Sequence, residues 1–141
     1  MDLKKIDERL SVNGQITPQD IVQAAAQGFR TIINNRPDGE EPGQPTSAEL
    51  AATANAYGLA YRHIPITPGQ FDDGAIAEFK AALEESPGPV LGFCRTGTRC
   101  ATLWGLVTAP DKGVDETIDA AAQAGCDISG ARPRLEECAS C

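Results

Sequence analysis

The stretch of the chain best equipped for chemistry is a short loop that contains one cysteine and two arginines. It follows the apolar run of residues 89–93 and reads Cys94-Arg95-Thr96-Gly97-Thr98-Arg99. The apolar run predicts a buried strand, and the residues that follow the loop, 101–107, predict a helix. The cysteine is therefore expected at the junction between the end of a strand and the start of a helix.

This junction predicts an anion-binding cradle. Gly97 permits backbone angles that other residues resist, so the amides of residues 95–99 can converge on one point. The helix dipole adds positive potential there. Such settings lower a cysteine pKa to about 3.5–7.5, which makes Cys94 a nucleophile at neutral pH. We assign catalysis to Cys94 and Arg99, whose planar fork binds oxyanions. The residues between them, which are Arg95, Thr96, Gly97 and Thr98, are assigned to substrate binding. The alternative is a buried structural thiol beside a surface arginine.

Polar residues also follow a second predicted strand, at residues 31–33. These are Arg36, Asp38 and Glu40. Ligands of open α/β sheets bind outside the carboxyl ends of the strands, so this segment is expected to border the cysteine loop. We predict that Arg36 reaches the bound anion and that Asp38 serves as catalytic acid or as an acceptor that orients the loop. The alternative is a solvated turn in which Asp38 and Gly39 make the bend.

Five other side chains are candidates for chemistry. Cys100 follows the loop directly and is a candidate resolving thiol for oxidised or persulfidated Cys94, the alternative being a small helix residue. His63 is expected to be a half-exposed strand residue rather than a base, and Trp104 a core residue. Cys138 and Cys141 form a C-x-x-C pair at the chain end, for which a frayed tail or a redox role is favoured over zinc. We predict no metal and no cofactor.

The elements that must position these residues alternate between helix and strand signals, which is typical of an α/β domain. We expect one domain over residues 1–141, with a small, mainly parallel sheet flanked by helices and a flexible tail from about residue 135. Caps are predicted at Thr17, followed by Pro18 and Asp20, and at Thr46, followed by Glu49. Strands are expected at 10–12, 31–33, 59–66 and 89–93, and helices at 17–28, 46–58, about 76–86, 101–107 and 114–124.

Composition narrows the function classes. The chain has 141 residues, with 12 basic and 20 acidic residues and a net charge of −8. This charge argues against nucleic acid or an anionic membrane as a partner. No apolar run reaches the ~18–20 residues of a membrane span, and the first residues lack the apolar segment of a secretory signal. With five cysteines, an odd number, we expect a cytoplasmic protein with reduced thiols.

Several motifs together resemble one family. Residues 10–15, 34–40 and 94–99 are similar to the phosphatase-like domain of the beta-lactamase-hydrolase-like family, and the similarity spans roughly residues 5–135. Residues 61–66 and 90–94 are similar to the layout of dual-specificity protein phosphatases. The resemblance implies a cysteine-phosphatase-like fold in which the cysteine loop lies at the carboxyl edge of a small parallel sheet.

The loop differs from that of working protein phosphatases at three points. Those enzymes place five residues between cysteine and arginine, whereas four stand here and Cys100 occupies their arginine position. Phe93 replaces the histidine before their cysteine. Pro68 stands where their general-acid aspartate falls, so an acid would have to come from Asp38 or from another aspartate, Asp72 or Asp73.

The pattern Cys-Arg-x-Gly-x-Arg instead resembles the active loop of rhodaneses, in which the cysteine carries sulfane sulfur as a persulfide. The sequence therefore predicts a cysteine-dependent sulfurtransferase that takes a small anionic substrate and passes sulfur to a thiol acceptor. One alternative is a phosphatase that forms a thiophosphate on Cys94. A second alternative is an anion- or persulfide-binding module.

Overall fold

A computed structural model describes residues 1–140 of the chain and contains one five-stranded sheet. The strands lie in the order β1-β2-β5-β3-β4, and all neighbours are parallel except β1 and β2. Six α-helices and one turn of 3₁₀ helix at Ser129–Ala131 are described in residues 1–140. The prediction of a mainly parallel sheet flanked by helices is confirmed. The strands are β1 (Lys4–Lys5), β2 (Leu10–Asn13), β3 (Thr31–Asn34), β4 (Ala60–His63) and β5 (Val90–Phe93), and the helices are α1 (Pro18–Ala26), α2 (Ser47–Ala56), α3 (Asp73–Glu85), α4 (Thr98–Lys112), α5 (Val114–Gln123) and α6 (Arg132–Ala139).

The first two helices start where their capping residues predict. The Thr17 side chain accepts a hydrogen bond from the Asp20 amide, and the Asp20 carboxylate accepts one from the Thr17 amide. At the start of α2, Thr46 accepts from the amide of Glu49. These bonds satisfy amide groups that the first turn of a helix leaves without partners.

Three elements differ from the sequence-based prediction. Helix α4 begins three residues earlier and ends five residues later than predicted, and it contains Pro110 in its last turn. Its early start follows from Gly97, whose positive φ of 92° turns the chain directly from the loop into the helix. Strand β4 is shorter than predicted, because the chain pairs with β3 only over Ala60–His63. The two-residue strand β1 carries no periodic signal and was not predicted.

Both faces of the sheet are buried, as is usual for parallel sheets. Helices α1 and α2 cover one face of the sheet, and their buried side chains form a core with Ile32, Leu91 and Phe93 of the strands. Helices α3 to α6 cover the other face. Trp104 on α4 is part of this second core, and its indole Nε1 donates to Asp7. The side chains before Cys94 are thus fixed from both sides, which holds the end of β5 in place.

The segment after about residue 132 forms α6, in the region for which the sequence analysis predicted a flexible tail. Leu135 of this helix is fully buried. It packs against α4 at Gly105, where an added Cβ would lie 2.6 Å from Ile128 and 3.2 Å from Leu135. Cys138 is half-buried, whereas Cys141 lies outside the described residues, so the C-x-x-C pair is not placed. No helix within residues 1–140 has the length and apolar character to cross a membrane.

Candidate active site

The carboxyl ends of three neighbouring strands bring the predicted site residues together. Asn13, Asn34 and Phe93 end β2, β3 and β5 and share one register position across the sheet. Backbone hydrogen bonds then tie the following segments together. The amide of Gln15 donates to the carbonyl of Arg95 at 3.2 Å, and that of Asn35 donates to the carbonyl of Phe93 at 2.9 Å. The cysteine loop is therefore held on both sides.

Gly97 shapes the loop around the sulfur of Cys94. Its amide donates to Cys94 Sγ at 3.1 Å. Its φ of 92° lies in the left-handed region, and an added Cβ would lie 3.3 Å from the carbonyl oxygen of Asn13. Both the backbone conformation and the close approach favour glycine at this position.

The surroundings of Cys94 favour its thiolate. A hydrogen bond from the Cys100 side chain, together with the backbone amides of Cys100, Thr96 and Arg99, lowers the pKa of Cys94 to about 5, although burial opposes this. The residue is 0% exposed. Because the pKa lies below 7, the sulfur is an anion at neutral pH and a nucleophile that needs no dedicated base.

Cys100 lies beside this thiolate as a buried, protonated donor. Burial and the negative charge of Cys94 raise the pKa of Cys100 well above its ordinary value. Its Sγ also lies 2.9 Å from Asn35 Oδ1, so the single S–H proton of Cys100 is shared between this oxygen and the thiolate. Asn35 is itself held by a bond from its Nδ2 to the carbonyl of Ile64 at 2.8 Å. Cys100 thus occupies the place that a resolving thiol requires, and that role stays a prediction.

Arg99 binds a carboxylate with its planar fork. Its Nη1 and Nη2 donate to the two carboxylate oxygens of Glu40 at 2.8 and 2.9 Å. Nη1 also donates to the carbonyl of Ile66 at 2.9 Å. The hydrogen bond from Arg99 is the main reason why the pKa of Glu40 falls to about 2. The sequence analysis expected this fork to face a bound anion, whereas in the structure a glutamate fills it.

Arg36 and Arg95 are also paired with carboxylates. Arg36 is only 2% exposed, so it does not belong to a solvated turn. Its Nε contacts Glu40 at 2.8 Å and its Nη2 contacts Glu41 at 3.1 Å. Glu41 also pairs with Arg95 Nε at 2.7 Å. The sequence analysis assigned no role to Glu40 or Glu41. The signal that could have found them is the presence of two acidic residues in a segment expected to border an arginine-bearing loop.

The aspartates considered as acids make other contacts. Asp38 accepts from the amide of Ser47 at 2.8 Å, at the start of α2. Asp72 caps α3 by accepting from the amide of Ala75. Asp73 pairs with Arg134 at 2.6 Å. Within residues 1–140, none of these three aspartates lines either of the two clefts at the loop.

Two clefts adjoin the loop. The larger, of about 670 Å³, is lined by loop residues including Thr96 and Thr98 and by apolar residues of the segments before α3 and α6, among them Phe71, Ile128 and Ala131. The smaller, of about 240 Å³, is lined by Pro68 and the five charged residues Arg36, Glu40, Glu41, Arg95 and Arg99. Cys94 lines neither cleft, because the loop covers its sulfur.

Four carboxylates line these clefts, and all four have polar or charged neighbours. Glu40 and Glu41 bind the arginines described above. Asp127 accepts from the amide and hydroxyl of Ser129, which lowers its pKa. Glu137 lies 3.7 Å from an Arg134 nitrogen.

His63 Nε2 contacts the carbonyl of Arg36 at 2.9 Å. Over residues 1–140, no group of three or more histidine, cysteine or acidic side chains is arranged to hold a metal ion.

Residues 2–110 match the family model described as beta-lactamase hydrolase-like protein, phosphatase-like domain. Among curated proteins, the chain is 41% identical over 111 residues to a beta-lactamase hydrolase-like protein of Agrobacterium fabrum. The match covers 79% of this chain and 26% of that protein. The chain thus spans about a quarter of the length of this curated relative.

Solved structures show the same fold. The crystal structure of a candidate phosphatase from Neisseria meningitidis superposes with a TM-score of 0.89 and 37% identity, covering 98% of this chain and 99% of the other. Tk-PTP in its active form superposes with a TM-score of 0.75 at 18% identity, covering 99% and 97% of the two chains. At that identity the second similarity concerns the fold alone.

Proposed function

This chain belongs to the phosphatase-like domain family of beta-lactamase hydrolase-like proteins, and we propose that it is a sulfurtransferase that carries sulfur on Cys94. The observation that carries the proposal is the environment of the thiolate. Cys94 is ionised within a cradle of backbone amides, while the pKa of Glu40 in the adjoining cleft is lowered to about 2, so that this carboxylate is ionised at neutral pH. Such a site supplies a nucleophile and an anion pocket, and Glu40 supplies no proton for a leaving group.

Sulfur transfer needs only these two elements. In the first step, the Cys94 thiolate attacks the outer sulfur of a donor such as thiosulfate. The new bond joins the two sulfurs, the sulfur–sulfur bond of the donor breaks, and sulfite leaves with the electron pair. The enzyme then carries a persulfide anion that the loop amides and the start of α4 stabilise.

In the second step, the thiolate of an acceptor attacks the terminal sulfur of this persulfide. The acceptor leaves as a persulfide anion, and the Cys94 thiolate is restored. No proton is transferred in either step. The large cleft beside Thr96 and Thr98 is where we place the organic part of the acceptor, because it combines loop residues with apolar walls. Since Cys94 is 0% exposed, both steps require the residues that cover its sulfur to move aside.

Phosphoester hydrolysis is the second candidate function. The similarity to the protein from Neisseria meningitidis, which is named as a candidate phosphatase, favours it. In that reaction Cys94 would attack phosphorus and an alkoxide would leave. A positioned general acid accelerates the departure of an alkoxide by a factor of about 10²–10⁴. Glu40 cannot serve at neutral pH, because its pKa of about 2 keeps it ionised.

The two functions are separated by assays on one preparation. We expect sulfite release from thiosulfate, or sulfinate release from methanethiosulfonate, in the presence of a thiol. We expect slow hydrolysis of aryl phosphates, whose leaving groups are activated, and slower hydrolysis of alkyl phosphates. Cys94→Ser should abolish all of these activities, and Cys138→Ser, which removes a thiol on α6, should abolish none. Brisk hydrolysis of an alkyl phosphate without sulfur transfer would contradict the proposal.

A further inference from the structure

The smaller cleft is bordered by five charged side chains whose charges nearly cancel. Arg36, Arg95 and Arg99 contribute three positive charges, and Glu40 and Glu41 contribute two negative ones. One net positive charge remains beside the anion cradle, where the arginines alone would supply three. Because charge-assisted hydrogen bonds to a guanidinium are strong, these carboxylates compete with an anionic ligand for the arginines.

The two glutamates are bound as closely as a ligand would be. Glu40 bridges Arg99 and Arg36 with three contacts of 2.8 to 2.9 Å. Glu41 bridges Arg36 and Arg95 with contacts of 3.1 and 2.7 Å through one oxygen, Oε1. Each guanidinium is therefore paired with a carboxylate, and the oxygens of an anionic substrate would have to compete with that carboxylate for it.

We propose that Glu40 and Glu41 set the charge selectivity of the site, because they reduce the advantage that three arginines alone would give to doubly charged anions and so let singly charged sulfane-sulfur anions compete with them. The singly charged class comprises organic persulfides and thiosulfonates, and the doubly charged class comprises phosphate monoesters and thiosulfate. The inference rests on the proposed function, since it names the substrate class of that same site.

The selectivity follows from how electrostatic energy depends on charge. The energy of an anion in a given field is proportional to the charge of the anion. If loss of one carboxylate strengthens the binding of a monoanion by a given factor, it strengthens that of a dianion in the same place by the square of that factor. An increase of about fivefold for the monoanion thus corresponds to about 25-fold for the dianion.

Glu41 is the better position for a test, because its side chain is 46% exposed whereas that of Glu40 is 21% exposed. Glu41→Gln removes the charge, and Glu41→Asp keeps it. Glu8→Gln is the matched control. Glu8 is exposed, forms an ion pair with Lys5, and precedes β2 at the end of the sheet opposite the loop. Both glutamine variants change the net charge by the same amount.

The measurement is calorimetric titration with sulfate and with methanesulfonate, which share a tetrahedral shape and differ by one charge. We expect Glu41→Gln to strengthen sulfate binding by the square of the factor for methanesulfonate. Glu41→Asp should keep the wild-type ratio of the two affinities, and Glu8→Gln should change either affinity less than about twofold at physiological salt. Equal factors for the two anions in Glu41→Gln, or an unchanged sulfate affinity, would overturn the proposal.

A kinetic comparison links selectivity to sulfur transfer. Methanethiosulfonate and thiosulfate differ in the same way, by a methyl group in place of a charged oxygen. Glu41→Gln should raise the ratio of kcat/KM for thiosulfate to kcat/KM for methanethiosulfonate above its wild-type value, and Glu41→Asp should leave that ratio unchanged. If neither donor loads Cys94 in any variant, the proposed function fails. The titration with the two unreactive anions still decides the charge selectivity in that case.

Discussion

Replacing Cys100 by alanine should make Cys94 a weaker acid. In the folded protein, a hydrogen bond from the Cys100 side chain is the largest contribution that lowers the pKa of Cys94 to about 5. Alanine removes this donor but leaves the loop amides and Gly97 in place. The substitution therefore isolates the side-chain bond from the rest of the cradle.

The size of the effect follows from the strength of a bond to a charged acceptor. Such a bond contributes about 1.5–3 kcal/mol, and about 1.4 kcal/mol corresponds to one pH unit. We expect the pKa of Cys94 to rise by about 1 to 2 pH units in Cys100→Ala. The same substitution leaves the buried Oδ1 of Asn35 without the Cys100 donor, which should lower the free energy of unfolding by about 1–3 kcal/mol.

The pKa is measured from the pH dependence of thiolate absorbance in the ultraviolet, with the rate of alkylation as a second readout. Cys100→Ser is the matched control, because the serine hydroxyl keeps a donor at the same position. The pKa of Cys94 in this variant should stay near its wild-type value. Cys138→Ala, which removes a thiol on α6, should also leave the midpoint unchanged. An unchanged midpoint in Cys100→Ala would refute the assignment of this hydrogen bond.

Three further predictions follow from the same contacts. Cys94 has a pKa of about 5 in the folded protein and about 8.5 when unfolded, so its thiolate stabilises the fold fully above about pH 8.5, and this contribution is lost as the pH falls through about 5. The difference in unfolding free energy between wild type and Cys94→Ser, followed by denaturant titration, should shrink over that interval, and a pH-independent difference would count against the thiolate. Arg99→Lys should fold but lose much of its affinity for sulfate, since an ammonium cannot hold both oxygens of Glu40 and order the loop, and near wild-type affinity in calorimetry would contradict this. Mild peroxide should form a reversible link between Cys94 and Cys100, while Cys100→Ser should divert Cys94 to overoxidised forms, and peptide mapping that shows neither change would remove the resolving role.

The position of the nucleophile could be predicted because its determinants are local in the sequence. An apolar run, a cysteine, a glycine and a helix follow one another within residues 89–107. A glycine in such a turn indicates a backbone conformation that other residues resist. In the structure, Gly97 has a positive φ and its amide donates to the sulfur of Cys94. The same holds for the helix starts at Thr17 and Thr46, where the cap and its partner are three residues apart.

The partners of the arginines could not be predicted in this way. Glu40 and Arg99 are 59 residues apart in sequence, and their pairing depends on how two loops pack after β3 and β5 have become neighbours in the sheet. Similarly, the length of α4 depends on packing, since α3, α5 and α6 contact it and Gly105 admits Ile128 and Leu135 at close range. Local periodicity contains neither kind of information.

The most direct test of the central claim is the intact mass of the protein after incubation with methanethiosulfonate or thiosulfate. The wild type and Cys138→Ser should each gain the mass of one sulfur atom, the added sulfur should map to the peptide that contains Cys94, and an excess of a small thiol should remove it. Cys94→Ser should gain nothing. A wild-type protein that stays unmodified by both donors under conditions in which Cys94 is ionised would contradict the account.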